Sequence, residues 1–184
     1  MKSTDARSLL YAALLCALTA VGAFIKIPLP FYPVPLSLQT LFVMMAGVLL
    51  TPRYAFLSQF AYVLLGLVGL PIFVGGGGLG YVVQPTFGYL LGFLIGAPVC
   101  SALVRRLHGI RFAPLLCSLA CCLIINVAGV LYMALVTSRL AGNALSFQAA
   151  LNMLLLFLPL DAVKAVFSSV LAGSLQKRIQ FIQQ

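Results

Sequence analysis

Apolar residues gather along this chain in six long runs, at 9–25, 36–50, 54–70, 87–104, 113–136 and 149–175. Residues that end helices stand between them: Pro28, Pro30, Pro33 and Pro35 after the first run, Thr51-Pro52-Arg53 after the second, Pro71 and a string of glycines after the third. Residues 105–111 and 139–146 make the last two breaks. Proline lacks the amide proton a helix uses and glycine loses much chain entropy, so both punctuate helices. About 20 apolar residues suffice to cross a bilayer as a helix. None of the runs alternates with the period of two that a membrane barrel requires. The pattern predicts an all-α integral membrane protein with six transmembrane helices, forming one domain over residues 1–184.

Composition supports the membrane reading. Hydrophobic residues make up 63% of the chain and charged residues 7%, whereas soluble domains carry roughly 25% charged residues. The net charge of +9 could suit nucleic acid, but the eleven Lys and Arg are scattered at the ends of apolar runs. In a membrane protein that placement reports orientation instead. Lys2, Arg7, Arg53, Arg105, Arg106, Arg111, Lys177 and Arg178 fall at the termini and in the second and fourth loops. Only Lys26 and Arg139 fall in the first, third and fifth loops. Positive residues stay inside, which predicts cytoplasmic N- and C-termini in a multi-pass protein of the cytoplasmic membrane. The proline-rich first loop and the glycine-rich third loop then face outward. Lys2 and Arg7 ahead of an apolar run could open a signal peptide, but this run exceeds the usual 7–15 or so residues and five more follow. It is read as a retained helix. Cys16, Cys100, Cys117, Cys121 and Cys122 all lie inside apolar runs without a CxxC pair. They are read as small apolar packing groups, with no disulfide framework and no metal site.

Chemistry concentrates in the sixth run. Asp161 is the only acid besides Asp5, and Lys164 follows three residues later on the same helix face. A charged group at that depth costs roughly 2.5–3.5 kcal/mol on insertion scales, so something must offset it. Two readings compete: a structural ion pair tethering the helix, or a polar binding site inside the bundle. Asn126 in the fifth run can donate and accept hydrogen bonds, as interhelical glue or as part of a site. Gln39 and Gln84 are further candidates for an outward cavity. The segment Gly75, Gly76, Gly77, Gly78, Leu79, Gly80 lacks the Lys-Ser/Thr ending of a phosphate loop. It is read as a lid over that cavity or as a flexible connector. Gly88, Gly92 and Gly96, like Ala13 and Ala17, form small-residue stripes for close helix packing or for a partner. His108, the single histidine, sits among arginines in a loop. Neither a nucleotide motif nor a nucleophile–base pair is present, so no catalytic residue is assigned and no enzyme is expected.

In combination these segments resemble a known family. The run Pro33-Val34-Pro35-Leu36-Ser37-Leu38-Gln39-Thr40-Leu41 is similar to the PVPxxLQTL signature of the BioY family, the biotin-specific S components of energy-coupling factor (ECF) transporters. So are Gly69-Leu70-Pro71-Ile72-Phe73 leading into 75–80, Pro85-Thr86-Phe87-Gly88-Tyr89-Leu90-Leu91-Gly92-Phe93 with PTxGYLxGF, and Pro159-Leu160-Asp161-Ala162-Val163-Lys164 with PxDxxK. The resemblance implies a six-helix subunit without a cofactor that captures biotin outside and associates with a transmembrane coupling protein and two cytoplasmic ATPases. It also implies that Ala13 and Ala17 match the AxxxA motif that contacts the coupling protein. Biotin carries a ureido ring, an apolar ring and tail, and a carboxylate. Asp161, Asn126 and Lys164 suit its polar ends, and Phe73, Tyr81 and Tyr89 could wall the rest. That complementarity alone would suit several vitamins. Two rival readings stand beside it: a self-sufficient ion-coupled vitamin transporter with Asp161 as proton carrier, and an intramembrane enzyme using Asp161 as acid or base.

Overall fold

Helices form where the apolar runs stand: α1 (Ser3–Phe24), α2 (Gln39–Leu49), α3 (Pro52–Val68), α4 (Phe87–Arg106), α5 (Ala113–Leu140) and α6 (Phe147–Gln183). The computed structural model describes residues 3–28, 34–140 and 147–183; Lys2, Pro30, Pro33 and residues 141–146 lie outside that set, as do the side chains of Lys177 and Arg178. Four of the helices, α1, α4, α5 and α6, are long and apolar enough to cross a membrane. Helix α3 has 17 residues. Helix α2 has 11, about 16 Å at 1.5 Å per residue, roughly half the thickness of a bilayer core.

The short α2 departs from the expectation of a helix over 36–50, and the reason lies in its first residues. Leu36 and Ser37 form a short strand, β2, paired antiparallel with Lys26 and Ile27 in β1. The Leu38 amide then donates to the carbonyls of Gly22 (3.2 Å) and Ile25 (3.1 Å) at the end of α1. Helix can begin only at Gln39. Central placement explains why α2 is apolar anyway: it touches each of the other five helices, and eight of its eleven residues are buried. A helix that is hydrophobic all round is one enclosed by protein or lipid, and here protein encloses it.

Local chemistry sets the remaining boundaries. Pro52 occupies the first turn of α3, where its missing N–H would have had no helical partner. Gly69 ends that helix at φ 121°, a conformation a side chain resists. The small stripe of α4 meets α5: a Cβ at Gly92 would lie 2.8 Å from the Ile125 Cα, and one at Gly96 would lie 3.1 Å from the Cys121 sulfur. All five cysteines are buried free thiols.

The glycine-rich loop is tied down at both ends. Phe73 and Gly76 exchange backbone hydrogen bonds of 2.8 and 3.1 Å, and the Gly78 amide donates to the Gly66 carbonyl at 2.7 Å. The Phe73 ring fills the space where a Gly66 Cβ would stand. Gly66→Ala is therefore expected to destabilise the protein by about 1–3 kcal/mol through overpacking, read as a lowered melting temperature in detergent. An unchanged melting temperature would mean the loop is not anchored by Phe73.

Candidate functional site

The buried charges of α6 are held from three sides. Asp161, 3% exposed, pairs with Lys164 one turn on, Nζ to Oδ1 at 2.7 Å. From α2 the Thr40 hydroxyl donates to the same Oδ1 at 2.9 Å. From α5 the Asn126 Nδ2 donates to Oδ2 at 2.9 Å and to the Cys122 carbonyl at 3.0 Å. Lys164 also reaches the Ser37 carbonyl at 2.7 Å and the Thr40 hydroxyl oxygen at 3.0 Å. An ammonium has three protons, and all three have acceptors within the protein. The carboxylate is less fully engaged: Oδ2 accepts one bond, and each carboxylate oxygen can accept about two.

This pair forms the floor of a cavity of about 500 Å³, counted with its open mouth. The hairpin supplies Val34, Pro35, Leu36 and Ser37; α2 supplies Gln39 and Thr40; α4 supplies Tyr89, Leu90 and Phe93; α6 adds Phe157 to the pair. The third loop closes the rim with Val74, Tyr81 and Thr86. Apolar walls with a few convergent polar groups are the usual form of small-molecule sites. Burial raises the Tyr81 phenol above its ordinary pKa, so it is a neutral group that accepts a bond from the Thr86 hydroxyl at 2.9 Å. The Tyr89 hydroxyl and the Asn126 Oδ1 are buried with no partner among the described residues, a costly condition unless something else meets them.

The candidates named from sequence divide accordingly. Asp161, Lys164, Gln39, Tyr81 and Tyr89 line the cavity, and Asn126 stands directly behind Asp161. Phe73 is buried behind Tyr81, ring centroids 4.6 Å apart, and supports the wall without lining it. Gln84 is exposed beyond the turn Leu79–Val83. The glycines 75–78 and 80 do not line the cavity; their neighbours Val74 and Tyr81 do. Sequence reasoning missed Thr40, Ser37, Phe93 and Phe157. Only Thr40 carried a signal, as a polar neighbour of Gln39 in an otherwise apolar run. Ala13 and Ala17 are elsewhere, exposed in an apolar groove between α1 and α3.

A bundle of six helices, four able to cross a bilayer, around a buried ion pair at the foot of a mostly apolar cavity defines a membrane-embedded binding protein. The BioY family profile matches residues 1–181, and the chain belongs to that family. A probable biotin transporter BioY of Pyrococcus horikoshii is 36% identical over 173 residues, covering 93% of this chain and 97% of that one. The Rhizobium etli biotin transporter BioY is 36% identical over 169 residues, 90% of each. A probable biotin transporter BioY of Lysinibacillus sphaericus is 53% identical over 108 residues, which span 59% of this chain and 54% of the relative. Among solved structures, the S-component for biotin from an ECF-type ABC transporter superposes with a TM-score of 0.85 at 28% identity, covering 96% of this chain and 94% of that one.

Proposed function

We propose that this chain captures biotin for uptake across the cytoplasmic membrane, as the S component of an ECF-type transporter. It does so as a six-span protein with cytoplasmic termini. One observation carries the reading: a carboxylate with an open lone pair, braced by Lys164, Thr40 and Asn126, faces a cavity otherwise walled by Tyr89, Phe93 and Phe157. A ureido ring offers an N–H donor to Asp161 and a carbonyl to the Tyr89 hydroxyl or to Lys164. The apolar rings and tail match the aromatic walls. Because every Lys164 proton already has an acceptor, a ligand that takes one must release Ser37, Thr40 or Asp161.

Orientation follows from charge. With the termini inside, Arg53, Arg105, Arg106 and Arg111 face the cytoplasm and the cavity mouth, rimmed by the hairpin and the third loop, faces outward. The two shorter helices then complete the six spans, α3 nearly long enough alone and α2 shielded by its neighbours. The groove holding Ala13 and Ala17 presents a small-residue surface at which a transmembrane coupling protein can approach closely. Two cytoplasmic ATPases complete the assembly.

Uptake of labelled biotin by a biotin-requiring cell tests the reading. Expected is uptake at nanomolar biotin that needs this chain together with coupling protein and ATPases. Uptake that persists without the ATPases and collapses with the proton gradient would establish the ion-coupled alternative through Asp161.

A further inference from the structure

The cavity of the ion pair and the α1–α3 groove share no lining residue, yet a file of four hydrogen bonds, continued through the covalent frame of Ser37, joins them. Lys164 on α6 donates to the Ser37 carbonyl at 2.7 Å. The Ser37 hydroxyl donates to Gln39 Oε1 at 3.1 Å. Gln39 Nε2 donates to the Tyr62 hydroxyl on α3, which donates in turn to the Ile72 carbonyl at 2.9 Å. Ile72 forms part of the groove wall, with Ala13, Ala17 and Leu70. It also begins the glycine-rich loop, one residue before Phe73 locks against Gly66. Gln39 and Tyr62 are buried, so neither can exchange a lost partner for bulk water. In such surroundings a broken link leaves a group unsatisfied. A shift at Gln39 is therefore passed to Tyr62, and one at Tyr62 to the Ile72 carbonyl.

We infer that Tyr62 is a positioning residue that couples occupancy of the Asp161–Lys164 cavity to the shape of the groove at Ile72. The inference rests on the biotin reading above and adds to it a route by which the partner surface senses the ligand. A ligand that accepts a Lys164 hydrogen bond in place of the Ser37 carbonyl frees that carbonyl. Ser37, Gln39 and Tyr62 then readjust, and the Ile72 carbonyl follows. Tyr62 meets Phe73 edge-on, ring centroids 5.5 Å apart. Phenylalanine at position 62 would keep that packing and remove only the relay oxygen.

The test is maleimide labelling of the Ile72→Cys variant, in a Cys16→Ser background because Cys16 also lines the groove. Rates are measured with and without saturating biotin, and biotin binding is measured on the same protein. Expected is a change of about fivefold or more in labelling rate on adding biotin, the lower range of ordinary allosteric coupling. Adding Tyr62→Phe should bring the ratio near one while biotin still binds within about threefold of the parent, that ratio being under 1 kcal/mol. Ser37→Ala, which removes the hydroxyl that donates to Gln39, should reduce the ratio as well. Biotin binding with no change in labelling at residue 72, or a ratio untouched by Tyr62→Phe, overturns the coupling alone. Loss of binding in Tyr62→Phe overturns it too, by placing the tyrosine in the scaffold of the site. A parent that does not bind biotin overturns the substrate reading and the coupling with it.

Discussion

Asp161→Asn is expected to weaken biotin binding about ten- to a hundredfold while leaving the protein folded. The substitution keeps the shape of the side chain and removes its charge and one acceptor. Thr40 and Lys164 can still donate to the remaining amide oxygen, where Oδ1 now receives both at 2.9 and 2.7 Å. At the other oxygen the new amide would meet the Asn126 amide, donor against donor. Asn126 can rotate its unpartnered Oδ1 into place, at the expense of its 3.0 Å bond to Cys122. The fold thus has a way to absorb the change. Binding does not, because a ureido N–H then finds no carboxylate. Losing a charged hydrogen-bond partner costs roughly 1.5–3 kcal/mol, about a hundredfold toward its upper end at 1.4 kcal/mol per tenfold; the unpaired Lys164 charge lowers the stability of free and bound protein alike and is read in the melting temperature. Titration of the purified variant, with its elution and melting temperature alongside, reads both parts. Unchanged affinity would remove Asp161 from the site and leave the pair a structural tether.

Tryptophan at both Ala13 and Ala17 should produce the opposite division: biotin affinity kept within about fivefold, roughly 1 kcal/mol and the size of the groove coupling inferred above, and assembly with the coupling protein abolished. Both alanines are exposed on α1, in the groove shared with Leu57, Ser58 and Ala61 of α3. Neither lines the cavity at Asp161. Two indoles would fill the groove and hold a partner helix beyond the distance that small residues permit. Co-purification of tagged coupling protein with the double variant reads the outcome. Normal assembly would assign the alanines to some other role.

How much of this was legible in the sequence depends on the range of the cause. Proline and glycine act within a turn or two, so the start of α3 could be read from Pro52 and its end, to within about two residues, from Pro71 and the glycines beyond it. Asp161 announced itself because an acid in an apolar helix needs a reason to be there. Helix α2 was misjudged in length because its apolar face reflects enclosure by five neighbours, and periodicity cannot tell protein from lipid. The two-residue β1–β2 pairing was invisible for a related reason: it depends on Leu38 reaching back to Gly22 and Ile25, a contact set by the path of the whole loop. Phe93 and Phe157 are ordinary apolar residues in their own helices, and only the packing of α4 on α5 and α5 on α6 brings them to one cavity. Thr40 joins the ion pair across 121 positions of sequence. The family resemblance pointed to the segment that contains it without giving its role.

Calorimetric titration of biotin into the purified chain in detergent, with thiamine and riboflavin as controls, comes before all other measurements. Expected is tight binding of biotin by this chain alone, in the nanomolar range that corresponds to about −12 kcal/mol, with neither control displacing it. Folded protein that takes up no biotin, or binds the three vitamins alike, would contradict the assignment of the Asp161 cavity to biotin.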